Sequence, residues 1–197
     1  MHLTMRYLEL YPDSELHIIR QMLNNAIMFS ANLIAQVDAD EQVALSTPLS
    51  EEQRLSAAED TSVYEDFLDE VDQLAVQMTV IALHSLGEKT LKRIARKSST
   101  FGADIDRAGI KTLKKAFLDL SLDLEKVSEF EVFNEVRCVA NSIKHSGLIS
   151  QELAEVESPL YGKPVVGKPI KVAALTLDLY YKHVSTFLDK VCQLAAA

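Results

Sequence analysis

The chain has 197 residues, of which 20 are lysine or arginine and 29 are aspartate or glutamate, so its formal net charge is -9. Hydrophobic residues make up 48% and charged residues 25%, a globular balance that excludes a wholly disordered or collagen-like chain. The length suits a single domain over residues 1–197. Six glycines and five prolines are too few for the many turns of an all-β fold.

The N-terminal part of the chain predicts one helix followed by an acidic loop. Apolar residues recur every three to four positions over residues 16–37, and Asp13 or Ser14 before them is a typical helix N-cap. Residues 38–61 are rich in acids and contain a proline. We therefore expect a mobile loop there, with room for a short helix near residues 51–58.

A long helix is predicted next. Ser62 and Glu65 have the spacing of a capping box, in which the two side chains satisfy backbone N–H groups of the first helical turn. Helical apolar spacing then continues to Ile94 without a proline, which gives a length of about 50 Å at 1.5 Å per residue. Gly87 is the position where we expect a kink or a break, because glycine destabilises a helix interior.

Three further helices complete the predicted bundle. The third spans roughly residues 106–120. The fourth begins at Ser128 and Glu131, again with capping-box spacing, and ends at Gly147. The fifth follows Pro169. The expected fold class is therefore all-α, an up-down bundle of four or five helices.

A segment rich in proline and glycine, residues 158–169, separates the last two predicted helices. It holds three of the five prolines and repeats Gly-Lys-Pro. Because proline restricts the backbone, we expect a structured turn or small hairpin rather than a flexible linker. Such a turn could cover the side chains on the surface of the preceding helix.

Targeting and cofactor motifs are absent from the sequence. Cys138 and Cys192 have no CxxC neighbour and are expected to be thiols of a reducing compartment. The N-terminus lacks the pattern of a secretory signal, and the most apolar run, residues 74–86, is too short to span a bilayer. No Glu-x-x-His, Walker or GxGxxG motif occurs. We expect a cytoplasmic protein with no membrane partner, no metal and no cofactor.

Charge is segregated along the chain. Residues 38–72 hold twelve acids and one base, a net charge of -11, whereas residues 88–115 hold nine bases and three acids, a net charge of +6. In one interpretation the bases lie on solvated helix ends and neutralise the acidic stretch. In the other they form a surface that contacts RNA phosphates. The RNA-binding candidates are Lys89, Lys92, Arg93, Arg96, Lys97, Lys111, Lys114 and Lys115.

The predicted fourth helix carries a constellation with catalytic chemistry. At about 100° per residue, Asn134, Arg137, Asn141 and Lys144 share its polar side, with His145 at the edge. A histidine can take the proton from a ribose 2′-hydroxyl, an amide can orient the sugar or phosphate, and arginine or lysine can stabilise charge on the phosphorus centre. We therefore take His145, Arg137, Asn141 and Lys144 as the four catalytic candidates for cleaving RNA without a metal.

This helix resembles the motif of the HEPN superfamily. In this chain Asn141 stands four residues before His145, and Arg137 lies one helical turn before Asn141. The resemblance implies a HEPN-like bundle over about residues 10–195. It also implies a homodimer in which two motifs face one cleft, and a metal-independent endoribonuclease of toxin–antitoxin or phage-defence systems. In that family an arginine usually stands directly before the asparagine, where this chain has Ala140.

Two alternatives stay open. Lys144 and His145, in the last turn before Gly147, are also what helix capping and the helix dipole favour without any function. The rival function is a non-catalytic interaction module, such as an antitoxin, an immunity protein or a partner protein. It would present the acidic segment 38–72 to a basic partner protein.

Overall fold

The computed structural model describes residues 50–97, 102–156 and 160–196, with single helical positions between 21 and 42. Within these ranges it has α-helices and two short 3₁₀ helices but no β-strand, which confirms the all-α prediction. The α-helices are α1 (Glu51–Ala95), α2 (Ile110–Asp119), α3 (Phe130–His145), α4 (Gln151–Ala154) and α5 (Ala174–Leu194); the 3₁₀ helices are Gly102–Arg107 and Leu124–Lys126. The predicted helix at 16–37 and the predicted loop at 38–49 lie outside the described residues, apart from those single positions.

The helix α1 begins twelve residues earlier than the sequence predicts. Ser50 is its N-cap: the Ser50 hydroxyl accepts the Gln53 N–H at 3.3 Å, and Gln53 Oε1 accepts the Ser50 N–H at 3.0 Å. The short helix predicted near residues 51–58 is present as the first turns of α1, but the predictions of a loop up to residue 61 and of a capping box at Ser62 are wrong. Residues 51–61 contain no glycine or proline, so nothing in them interrupts a helix, and the acid Glu51 in the first turn favours one. With 45 residues, α1 is about 68 Å long.

Gly87 does not break α1, which continues through it as one helix. A Cβ atom at position 87 would lie 2.6 Å from Cε2 of Phe133 on α3. The glycine therefore permits a close approach of α1 and α3, which is a packing role rather than a weak point.

The start of α3 also differs from the prediction. Ser128 and Glu131 form no capping box: the N-cap is Glu129, at φ 70°, and its side chain makes no capping hydrogen bond. Both residues before α3 are instead bound by α5, since Lys190 Nζ donates to the Ser128 hydroxyl and His183 Nδ1 lies 2.7 Å from the Glu129 carboxylate. At the other end, Gly147 follows α3 with φ 68° and confirms the predicted end.

The segment before α5 is a structured turn over its described part, residues 160–169, as predicted. It pairs with the residues that follow α3: the Ile149 N–H donates to the Lys168 carbonyl at 2.8 Å, and Leu148 and Pro169 form an antiparallel bridge. The helix α5 starts only at Ala174, so its predicted start directly after Pro169 is too early. Residues 170–173 precede α5 without regular secondary structure, and the side chains of residues 170 and 172 are buried.

The core lies where α1, α3 and α5 pack against one another. Phe133 stacks on Phe187 with ring centroids 4.9 Å apart. The core also holds a carboxylate, that of Glu135, whose Oε1 accepts the Tyr180 hydroxyl at 2.5 Å and the Tyr161 N–H at 2.9 Å. The turn over residues 160–169 thus covers the Glu135 side of α3 and leaves the polar side open.

Candidate functional site

A cleft of about 470 Å³ opens between α1, the start of α2, α3 and α4; we call it the polar cleft. It exists because α3 turns its polar side away from the core, while α2 and α4 flank that side. Its lining residues are His84, Glu88, Gly109, Ile110, Lys111, Leu113, Phe133, Arg137, Asn141, Lys144 and Glu152.

The polar cleft gathers three of the four catalytic candidates. Arg137, Asn141 and Lys144 all line it, as their spacing on one side of α3 predicts. His145 is exposed on the last turn of α3 and is not among the lining residues. It stands one residue, or about 100° around the helix, from Lys144. His145 is therefore an exposed residue next to a lining residue, not part of the lining itself.

Arg137 is held by several partners within the protein. Its Nη2 donates to Glu152 Oε1 at 2.7 Å and lies 3.1 Å from the sulfur of Cys138. Its Nε donates to Asn134 Oδ1 at 3.0 Å. The Arg137 side chain is 12% exposed and that of Glu152 58%. The guanidinium is thus fixed at the rim of the cleft by a carboxylate that faces water.

His84 is a cleft residue that the sequence reasoning missed. It is 5% exposed, and its Nδ1 has no hydrogen-bond partner among the described residues. Burial lowers its pKa to about 4, with the nearby Lys144 and Arg137 charges acting in the same direction and Glu88 opposing them. The imidazole is therefore neutral at pH 7. A signal was present in the sequence, because position 84 falls on the buried stripe of α1 that includes Val80 and Leu91.

A second cleft, of about 330 Å³, adjoins the polar cleft, since Glu88 lines both. Four of the eight RNA-binding candidates line this basic cleft. Its lining residues are Ser85, Glu88, Lys89, Lys92, Arg93, Arg96 and Asp106.

The other four candidates are dispersed. Lys111 lines the polar cleft. Lys97 and Lys115 are exposed, Lys97 just after α1 and Lys115 on α2. Lys114 pairs with Glu125 at 2.7 Å and its Nζ lies 5.1 Å from the centroid of the Phe130 ring. Most of the RNA-binding candidates in the basic segment, residues 88–115, therefore lie at the C-terminal end of α1 rather than along α2.

Part of the positive charge is neutralised locally. Lys92 pairs with Glu88 at 2.8 Å and donates to the Asp106 carbonyl at 2.9 Å, and Arg96 pairs with the Asp106 carboxylate at 2.5 Å. For these bases the compensating acids belong to the basic segment itself, not to the acidic stretch 38–72.

No three His, Cys, Asp or Glu side chains among the described residues are grouped closely enough to hold a metal ion. Within the same ranges, the helices lack the combination of length and apolar content that crossing a membrane requires. Comparison of the chain with protein-family models, with curated proteins and with solved structures finds no match.

Proposed function

We propose that this protein is a HEPN-like, metal-independent endoribonuclease that binds RNA across the basic cleft and cleaves it at the mouth of the polar cleft. The observation that carries the proposal is the meeting of Arg137, Asn141 and Lys144 in a cleft that adjoins four further bases. An RNA strand crossing both clefts would meet phosphate-binding cations first and the catalytic candidates next.

The proposed reaction is an internal transfer at phosphorus. The ribose 2′-oxygen attacks the phosphorus atom and the bond from phosphorus to the 5′-oxygen breaks, leaving a 2′,3′-cyclic phosphate and a 5′-hydroxyl. His145 accepts the 2′-hydroxyl proton, and a water molecule supplies the proton that the leaving 5′-oxygen takes up. Arg137 and Lys144 stabilise the charge on the phosphoryl oxygens, and Asn141 orients the sugar or phosphate.

Salt dependence of RNA binding tests the binding part of the proposal. We expect the affinity for a single-stranded RNA to fall steeply with salt, with a logarithmic slope of about 0.7 per phosphate contact. A double variant, Lys89→Ala with Arg93→Ala, should flatten the slope by roughly 1.4, whereas Lys182→Ala on the exposed side of α5 should leave it unchanged. A wild-type slope near zero would contradict RNA binding at this surface.

The resemblance also leads us to propose a cytoplasmic homodimer in a toxin–antitoxin or phage-defence system. An exposed apolar stripe along α1, formed by Val63, Phe67, Leu74 and Met78, supports self-association. These four side chains are 56–69% exposed, more than a soluble single bundle needs to leave in water. Light scattering that shows a strict monomer would contradict the dimer and the shared cleft.

A second candidate function is a non-catalytic interaction module. The specific observation in its favour is that Asp66, Asp69 and Glu70, beside the apolar stripe, are exposed and form no ion pair with a described residue. Such a face suits a basic partner protein. A stable complex that is lost when Asp66, Asp69, Glu70 and Asp72 are neutralised together, with RNA cleavage absent, would favour this function over the first.

A further inference from the structure

We call the His84 side of the polar cleft its inner end, because this lining residue has a buried polar atom with no partner. His84 is 5% exposed and lines the cleft, and its Nδ1 has no hydrogen-bond partner among the described residues. A buried imidazole nitrogen without a partner costs free energy that a bound molecule can recover. The proton and lone pair of a neutral imidazole allow it to donate or to accept one hydrogen bond at that atom.

The surroundings of His84 are flat and apolar on one side. The Phe133 ring lies 6.3 Å from the His84 ring, centroid to centroid, at an interplanar angle of 30°. Ile110 and Leu113 line the same cleft. Such surfaces favour a planar ring over a bare ion, because they offer van der Waals contact but no charge.

The other polar lining groups that lack an ion-pair partner are cationic or amide. Glu88 and Glu152 are already paired, with Lys92 and Arg137 respectively. Lys111 and Lys144, by contrast, have no carboxylate partner among the described residues, and Asn141 adds an amide donor and acceptor. The unpaired groups therefore suit an anion attached to a hydrogen-bonding ring.

We propose that the inner end of the polar cleft is a nucleobase subsite, in which one unpaired base of the RNA hydrogen-bonds His84 Nδ1 while Lys111 and Lys144 bind its phosphate. The cleft volume of about 470 Å³ is in the range of small-molecule sites. The inference rests on the proposed function and names the part of the substrate that this chain recognises. His84 is a specificity-determining residue in this scheme, separate from the catalytic candidates on α3.

Calorimetric titration with small probes tests the subsite. The probes are the 5′-monophosphates of adenosine, guanosine, cytidine and uridine, with ribose 5-phosphate and inorganic phosphate as controls that lack a base. We expect the best nucleoside monophosphate to bind at least about tenfold more tightly than ribose 5-phosphate, as one added hydrogen bond to a buried group allows.

Variants assign the preference to residues. His84→Phe keeps the size of the ring but removes its nitrogens, so it should lower nucleotide affinity to that of ribose 5-phosphate and leave ribose 5-phosphate binding unchanged. His84→Asn places an amide near the position of Nδ1 and should restore part of the preference. Lys111→Ala and Lys144→Ala should weaken all phosphate-bearing probes alike, while Lys182→Ala on α5 should change nothing.

The outcomes separate the subsite from the proposed function. Equal affinities for nucleotides and ribose 5-phosphate would overturn the subsite, and so would an unchanged preference in a folded His84→Phe variant. RNA binding with a steep salt slope could still hold in those cases, which would leave the proposed function in place. Base-dependent binding by a protein that neither binds nor cleaves RNA would support the subsite and contradict the proposed function.

Discussion

Arg137 on α3 and Glu152 on α4 form an ion pair at the rim of the polar cleft, with Nη2 and Oε1 2.7 Å apart. Under the proposed function, this carboxylate competes with an RNA phosphate for the guanidinium. A bound phosphate must therefore either displace Glu152 or bind beside it, which gives this exposed acid an influence on affinity.

Replacing Glu152 by glutamine should strengthen RNA binding. Glu152→Gln removes the negative charge that competes for Arg137, and we expect an affinity gain of roughly two- to fivefold, the scale of an exposed ion pair. The measurement is RNA affinity at fixed ionic strength. Glu155→Gln, at the end of the same short helix and outside the cleft lining, is the matched control and should have no effect. Weaker binding by Glu152→Gln would show that the carboxylate supports the site instead.

Removing the imidazole of His145 should abolish RNA cleavage. General acid–base catalysis contributes about 10²–10⁴-fold, so His145→Ala should lower the cleavage rate in EDTA by at least about 100-fold. Its melting temperature should equal that of the wild type, because the residue is exposed. Cleavage at the wild-type rate would remove His145 from the mechanism.

Gly87→Ala should destabilise the protein although alanine is the better helix former. The added Cβ would lie 2.6 Å from the Phe133 ring, and overpacking of this kind costs about 1–3 kcal/mol. Urea unfolding measures the loss. Gly109→Ala is the control, since nothing lies within 4 Å of a Cβ built there.

A double variant checks the cause of that loss. Phe133→Leu gives the new methyl group room, so Gly87→Ala should cost less in that background than in the wild type. Equal costs in both backgrounds would mean that the Phe133 contact is not what requires glycine.

Protonation of His84 should destabilise the folded protein in mild acid. Burial lowers its pKa to about 4 from an ordinary value of 6.5, so between these pH values the unfolded chain binds a proton that the folded protein does not. Stability contributed by neutral His84 is therefore complete above pH 6.5 and is lost as the pH falls towards 4, by up to about 3 kcal/mol.

Comparison with a variant isolates this effect from the titration of carboxylates. His84→Asn cannot titrate, so its free energy of unfolding should fall less between pH 7 and pH 4 than that of the wild type. Parallel curves for the two proteins would show that His84 does not contribute to acid sensitivity.

Local sequence patterns predicted the four longer described helices, α1, α2, α3 and α5, but not their starts, and they did not predict the short helix α4. Apolar spacing located α2, α3 and α5, and Gly147 located the end of α3. The capping boxes at Ser62 and Ser128 failed for different reasons. Ser62 lies inside a helix that Ser50 already caps, and Ser128 is bound by a lysine 62 positions away in sequence.

The polar cleft could be predicted in part, because helical periodicity also groups some of its residues. Arg137, Asn141 and Lys144 share one side of one helix, so periodicity alone brings them together. His84 and Glu152 come from other helices. The position of His84 in the cleft depends on the packing of α1 against α3 at Gly87, and that of Glu152 depends on the short helix α4. Single-helix periodicity carries no information on such distances.

The pairing of Leu148 with Pro169 links two parts of the molecule that look independent in sequence. The strand-like partners flank α4, and Ser150, its N-cap, is also bound by Ser142 of α3 at 2.7 Å. The proline-rich turn thus helps to hold in place the helix that carries Glu152. Lengthening that turn by even one residue would shift the carboxylate at the cleft rim, so this surface segment should tolerate insertions poorly.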